Sequence, residues 1–491
     1  MAAERYTWDR DRHAGWRGGY ESTAAFESGD CLMNPKMSQN SLPAYHVAKV
    51  TDTHVCTEAI QRAIDEAAAS GGGKVILSGG VYTSGAIFLK SHVELEIAEG
   101  SVLRAVVDES AYPSIWTRVA GIEMQWHSAL LNVCGQTDVR ISGKGLIDGQ
   151  GEYWWHKYWG SDRLGGMRKV YTSQGLRWAV DYDCKRPRLL LVSDSSHVDI
   201  SGLTFIRSPF WNVHICYSEH VTVSGLRIER NEGPSTDGID IDSSSNVLVE
   251  HCYVDCNDDN FCIKAGRDAD GLRVNRPCEN VVIRHCEMGR GGGITIGSET
   301  SGGIRNVEIS DITAKGTENG FRLKSARTRG GVIENIRVNR MSMTDVRNPF
   351  SFLLNWNPSY SYAEIPKAYE GDVPDHWKVM AEPVSPPSRG IPHFKNIDIS
   401  DVKVHSLFHA GPKDGSGSLP RSRAFEVEAY PEQPIEGIRF TNVGMTVHQS
   451  GSIAHALNWT MDNVVVRTLD PAPLEKVNCT NVELPVFEHL S

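Results

Sequence analysis

Six segments, opening at His197, His220, Asn246, Asn280, Asn306 and Asn335, repeat one pattern of apolar positions. The next residue is Val198, Val221, Val247, Val281, Val307 or Ile336, and two further on stand Ile200, Val223, Val249, Ile283, Ile309 and Val338. Leu203, Leu226, Cys252, Cys286, Ile312 and Met341 make a third column; Phe205, Ile228, Val254, Met288, Ala314 and Met343 make a fourth. Asn396 opens another copy with Ile397, Ile399, Val402 and Val404. The openers lie roughly 23 to 34 residues apart, the range of solenoids built from one supersecondary unit per repeat. The first two columns share a face, as in a strand, and a gap then resets the phase. One turn alone buries too little; stacked, the columns form a continuous core. β-Branched residues dominate and no helical period runs through the repeats, which excludes a helical solenoid. The expected fold is all-β, a right-handed parallel β-helix with a short N-terminal capping helix.

At 491 residues the chain has room for two or three globular domains, but a solenoid lengthens without a new core. Thr57–Ala69 is amphipathic: Ile60, Ala63, Ile64 and Ala67 share a face, and Ser70-Gly-Gly-Gly ends the run. A helix there covers an end of the coil that otherwise exposes core and sheet edge. Val75–Leu77, Val81–Tyr82, Ile87–Leu89 and Val93–Ile97 follow as strands. Residues 1–45 form an N-terminal extension of no assigned role, and residues 46–491 one β-helix domain with insertions near 150–180 and 356–390. The first insertion carries Tyr153, Trp154, Trp155, Tyr158, Trp159 and Trp178; the second is rich in Pro and Tyr.

A formal net charge of −11, with no basic face, argues against a nucleic-acid partner. No apolar run approaches membrane-spanning length, and Met1–Arg12 is too polar for a signal-peptide core. The expectation is a soluble protein, cytoplasmic as the chain stands and periplasmic or secreted if a leader was removed. Of eleven cysteines, Cys252 and Cys286 fall in an interior column and are expected as buried thiols. Cys252, Cys256 and Cys262 match no common zinc spacing.

The chemistry gathers in three motifs: Ser-Thr-Asp-Gly at Ser235–Gly238, Asn-Asp-Asp-Asn at Asn257–Asn260, and Arg-Leu-Lys at Arg322–Lys324. Taking Ile239, Phe261, Ile294 and Phe321 as equivalent inward positions puts Asp237, Asp259 and Gly292 in one column. Neighbouring strands lie less than about 5 Å apart. Asp258 precedes that column by one residue and should point elsewhere across the cleft. Arg322 and Lys324 share a face, and Lys264 falls in their register on an adjacent coil. Crowded carboxylates raise at least one pKa and so keep an acid protonated. Cations beside them suit a carboxylate-bearing substrate. Arg267 and His214 are further substrate contacts by placement, whereas Asp240, Asp242 and Asp255 are read as turn formers.

In this order the motifs resemble glycoside hydrolase family 28, the polygalacturonases and their relatives. So do Thr57–Asp65 followed by Gly-Gly-Gly-Lys-Val, and Arg186-Pro-Arg-Leu-Leu, Ser208-Pro-Phe-Trp and Ile263-Lys-Ala-Gly-Arg-Asp. The resemblance runs from about Tyr45 to Met341 by motif and beyond by repeat pattern, and is closest in flavour to bacterial exo-acting members. It implies inverting hydrolysis of α-linked galacturonic acid in pectic chains, without a cofactor or metal. Asp258 is then the general acid, Asp237 and Asp259 hold and deprotonate water, and Arg322 and Lys324 bind the uronate carboxylate. The two working carboxyls of an inverting enzyme ordinarily stand about 6.5–9.5 Å apart. The family's usual Gly-His-Gly is Gly291-Gly292-Gly293 here, which predicts a widened pocket and a rhamnogalacturonan-type substrate. An exo mode follows if the Trp-rich insertion closes one end of the cleft. Two rival readings are a polysaccharide lyase, with calcium on Asp258 and Asp259, and a non-catalytic carbohydrate-binding β-helix. Oligomeric state is not legible in the sequence.

Overall fold

The computed structural model describes residues 43–47, 55–407 and 421–490. The expected N-terminal extension therefore lies almost wholly outside the described residues. Two long parallel ladders, of 22 and 12 strands, wind along one axis. The predicted columns are the ladder registers. Val198 pairs with Val221, then Val247, Val281, Val307, Ile336 and Ile397 on successive coils. Phe205 pairs likewise with Ile228, and on through Val254, Met288, Ala314, Met343 and Val404. These columns, with Cys252 and Cys286 among them, fill one continuous buried core.

The residues that open each repeat have a conformational role. His197, His220, Asn246, Asn280, Asn306, Asn335 and Asn396 all adopt φ between 53° and 58°, the left-handed region in which Asn is the best-tolerated side chain after Gly. Their side chains form a ladder along the axis. Asn280 donates to Asn246 at 3.2 Å, Asn306 to Asn280 at 3.2 Å and Asn335 to Asn306 at 3.3 Å. The His197 and His220 rings stack at 5.0 Å in the same row.

The predicted helix spans Thr57–Ala69 and drives Ile60, Ile64 and Ala67 into the core, while Ala63 is only partly buried. Three excursions leave the coil. The first, unforeseen in the sequence, is an antiparallel hairpin of Ser114–Val119 and Ile122–His127. The insertion near 150–180 holds the helices Glu152–Trp159, Gly166–Ser173 and Val180–Asp183; the later one holds Pro358–Ser361 and Asp375–Met380. The three share a second core in which Trp126, Trp178 and Trp377 pack with Tyr182, Phe210 and Trp211. Most aromatics of the first insertion are structural: Trp154, Tyr158 and Trp178 are buried. Among the described residues no helix is long and apolar enough to cross a membrane.

Candidate active site

The outer face of the 12-stranded ladder forms the floor of the site. Ile239 and Ile241 point inward, so Asp240 and Asp242 point out, and stacking aligns outward side chains in rows. One row runs His214, Asp240, Cys262, Thr295, Arg322; the next contains Cys216, Asp242 and Lys264. Asp237 and Asp259 stand two residues ahead of the paired Ile239 and Phe261. Asp237, Asp258 and Asp259 each offer an oxygen within 4.8 Å of the others. Adjacent coils and adjacent residues thus bring these carboxylates closer than the 6.5–9.5 Å expected from the general inverting geometry.

Their environments differ. Asp259 is fully buried and bonded to Lys324 Nζ at 2.6 Å and Thr295 Oγ1 at 2.8 Å, with Arg322 Nη1 at 3.6 Å. Burial pushes its pKa up, but Lys324 and Arg322 prevail and hold it well below the ordinary carboxylate range. Asp258 is half-buried, and its Oδ1 accepts from the Asp259 N–H at 3.0 Å. Burial and the Asp259 charge raise it, against the pull of Lys324 and Lys264. Burial, then Asp258 and Asp240, push Asp237 well above the usual range. The cluster therefore contains one carboxylate held ionised beside others that compete for a proton.

A pocket open to solvent adjoins these acids. Its coil side consists of Phe210, Trp211, Ser235, Asp237, Asp258, Lys264, Ser298, Glu299 and Lys324. All three excursions contribute the remainder: Ala120 from the hairpin tip, Arg177 and Asp181 from the first insertion, Trp356 and Tyr360 from the second.

The family model of Glycosyl hydrolases family 28 matches residues 116–359. A probable polygalacturonase of Vitis vinifera is 34% identical over 366 residues, 71% of this chain and 71% of its own. The chain belongs to glycosyl hydrolase family 28. An exo-poly-alpha-D-galacturonosidase of Dickeya chrysanthemi is 24% identical over 463 residues, 86% of this chain and 74% of its own. Among solved structures, the family 28 exopolygalacturonase of Yersinia enterocolitica superposes with a TM-score of 0.73 at 19% identity. The match covers 91% of this chain and 79% of that one. The protein is thus a glycoside hydrolase of polygalacturonase type on a right-handed parallel β-helix.

Within this family 28 site the structure brings Asp237, Asp258, Asp259, Lys264, Arg322 and Lys324 together, as expected. Lys264 and Lys324 are two coils apart rather than one. Gly297 stands between them, and a Cβ there would lie 1.9 Å from the Lys324 carbonyl oxygen. Two expected substrate contacts are corrected. His214 lies in the outward row of the floor but is fully buried there, its Nδ1 2.7 Å from Arg188 Nη1 and its Nε2 3.5 Å from Asp242. Burial lowers its pKa to about 4, leaving a neutral ring in a structural chain of ion pairs. Arg267 is equally buried and works as a strut, donating to Tyr182 Oη at 2.7 Å and to the Tyr360 and Ser361 carbonyls at 2.9 and 3.1 Å. Gly292 does not widen the pocket either. A Cβ there would meet Asp259 Oδ1 at 2.4 Å, so the carboxylate itself occupies the space a side chain would need. Asp240 and Asp242, read as turn formers, are instead fully buried within the Ile239–Asp242 strand.

Several pocket residues escaped sequence reasoning. Glu299 holds Lys264 at 3.2 Å; burial pushes it up, but Lys264 and Arg329 keep its pKa down at about 2. Trp356 lies beneath both motif cations, 4.5 Å from Lys324 Nζ and 5.6 Å from the Arg322 guanidinium. Nothing in their local sequence marks them, because they are chemically ordinary residues on segments without the repeat.

Proposed function

We propose that this family 28 enzyme removes galacturonic acid from the ends of pectic chains, with inversion at the cleaved carbon. The observation that carries the exo reading is the pocket wall: all three excursions meet over the floor that presents the acids. Asp258, raised and half-exposed, suits the general acid that protonates the leaving oxygen. Asp259, held ionised, suits the base. Asp237 completes the group, and a water bonded to two carboxylates fits between oxygens within 4.8 Å. In the resting site Lys324 and Arg322 neutralise Asp259. A substrate carboxylate draws those cations away and restores the basicity of Asp259 when the sugar is in place.

A rhamnogalacturonan-type substrate is the second reading, resting only on the missing family imidazole at Gly292 and not on added space there. One experiment separates these alternatives: digestion of defined galacturonan and galacturonosyl-rhamnose oligosaccharides, with products sized over time and their anomers assigned by NMR. Monomer released from the first minutes with inverted configuration is expected on galacturonan. Early mid-length fragments contradict the exo mode, retention contradicts the assigned acid and base, and an unsaturated, ultraviolet-absorbing product indicates a lyase.

A further inference from the structure

We infer that Arg177 is a specificity-determining residue that reads the carboxylate of the terminal sugar in the pocket. The inference rests on the exo reading above. Three cations line the pocket, and two rise from the floor already engaged: Lys324 on Asp259 at 2.6 Å, and Lys264 between Glu299 at 3.2 Å and Asp240 at 3.7 Å. Arg177 lines the same pocket from the first insertion. Its side chain is 20% exposed, and Nη1 donates to Asp181 Oδ2 at 2.6 Å. Among the described residues Asp181 is its one hydrogen-bonded acceptor, so most of a five-donor fork remains for a carboxylate. The Tyr360 ring lies 5.7 Å from the guanidinium and braces it.

Asp181 does not depend on Arg177 alone. Tyr158 Oη donates to it at 2.9 Å, and Ser235 Oγ lies 3.4 Å away. Ser235 begins the motif that contains Asp237, so this pair adjoins the catalytic strand. Arg322 and Lys324 grip one uronate on the floor, and Arg177, on the first insertion, reads a second. Two carboxylate readers around one scissile bond select consecutive uronates. A galacturonan has an acid on every ring, whereas an alternating rhamnose–galacturonate chain has one on every second ring.

The test compares trigalacturonate with the same trimer methyl-esterified only at its non-reducing end, for wild type, Arg177→Gln and Arg177→Lys. Wild type is expected to prefer the free acid about 100-fold in kcat/KM, the range of a charge-assisted bidentate contact. Arg177→Gln should lose that preference through a raised KM for the free acid, with the ester turned over within about threefold of wild type. Arg177→Lys, which keeps the charge beside Asp181, should fall between. An equal loss on both trimers means a purely structural role and overturns the inference, as does undiminished discrimination in either variant. Mid-length fragments from wild type acting on long chains refute the exo reading itself, independently of the variants, and the terminal subsite with it.

Discussion

Asp258 and Asp259 are neighbours in the chain, yet their surroundings drive their protons in opposite directions. Activity on the proposed mechanism needs Asp258 protonated and Asp259 ionised. It should fall as pH rises through the raised Asp258 value, and fall again only in strong acid, below the ordinary carboxylate range. Lys324 depresses both groups, so Lys324→Met should move both limbs of the kcat–pH profile upward; an unmoved profile contradicts the assignment. Asp258→Asn should cost about 10²–10⁴ in kcat, the usual value of general acid catalysis. Asp240 offers a stability test. Both its oxygens are buried without a hydrogen bond among the described residues, and burial holds its pKa well above the ordinary value despite Lys264. The folded state therefore binds this proton more tightly than the unfolded chain. The penalty is absent below the unfolded pKa of about 3.9 and grows as pH rises toward the folded value. Lys264 keeps Glu299 as a partner, so Asp240→Asn should stabilise the protein by about 1 kcal/mol near neutral pH. In denaturant titrations the gain should vanish near pH 4, and a loss at neutral pH refutes this account. The acids were legible because two motifs fall one coil apart in a register set by inward apolar residues. That Lys324 and Arg322 engage Asp259 itself, with Thr295, was not, since direction and contact depend on packing that no motif encodes.

Among the elements, the hairpin Ser114–His127 controls the pocket wall through its tip. Ala120 and Gly121 both have positive φ, the two-residue turn suited to a twisted hairpin. A Cβ on Gly121 would lie 2.5 Å from Arg267 Cβ and 2.6 Å from Glu299 Cγ. Gly121→Ala should therefore lift the tip off the site and lower kcat/KM by more than tenfold. The cost in global stability should be about 1–3 kcal/mol, as for other overpacked contacts. Wild-type kinetics in this variant would show that the tip does not shape the pocket. The sequence was informative about elements wherever a period existed. Thr57–Ala69 was legible from its apolar stripe, and the coil from its columns, including the openers whose left-handed φ explains the choice of Asn. The hairpin carried a signal as well, the Ala-Gly turn between two apolar runs, but it lies between regular coils and leaves them only briefly. Arg267 was read as a substrate contact from its placement alone; only the fold shows two insertions closing over it.

At the scale of the whole molecule, two cores divide stability from function. The coil core runs from Val47 to Val466, whereas the second core packs the hairpin and the two insertions against Phe210 and Trp211 of the coil. Trp377 sits centrally in the second core: its Nε1 donates to Asp183 Oδ2 at 3.0 Å, and its ring meets Trp178 at 5.3 Å and Tyr369 at 5.3 Å. That core carries Arg177, Asp181 and Tyr360 to the pocket, while Asp237, Asp258 and Asp259 belong to the coil. Trp377→Ala removes about 3–5 kcal/mol of packing from the smaller unit. The excursions should loosen while the ladders stay intact, because Trp377 sits on the helix Asp375–Met380, outside the ladder strands. Far-UV circular dichroism should then melt within a few degrees of wild type, while kcat/KM for end release falls at least 100-fold. Internal cleavage of long galacturonan should rise relative to monomer release, since the acids remain on an opened floor. A variant that keeps strict monomer release, or whose ladders unfold together with the excursions, refutes the division. The outcome matters for the family as well as for this chain: one coil then supplies the hydrolytic floor, and the excursions decide which part of a polymer reaches it.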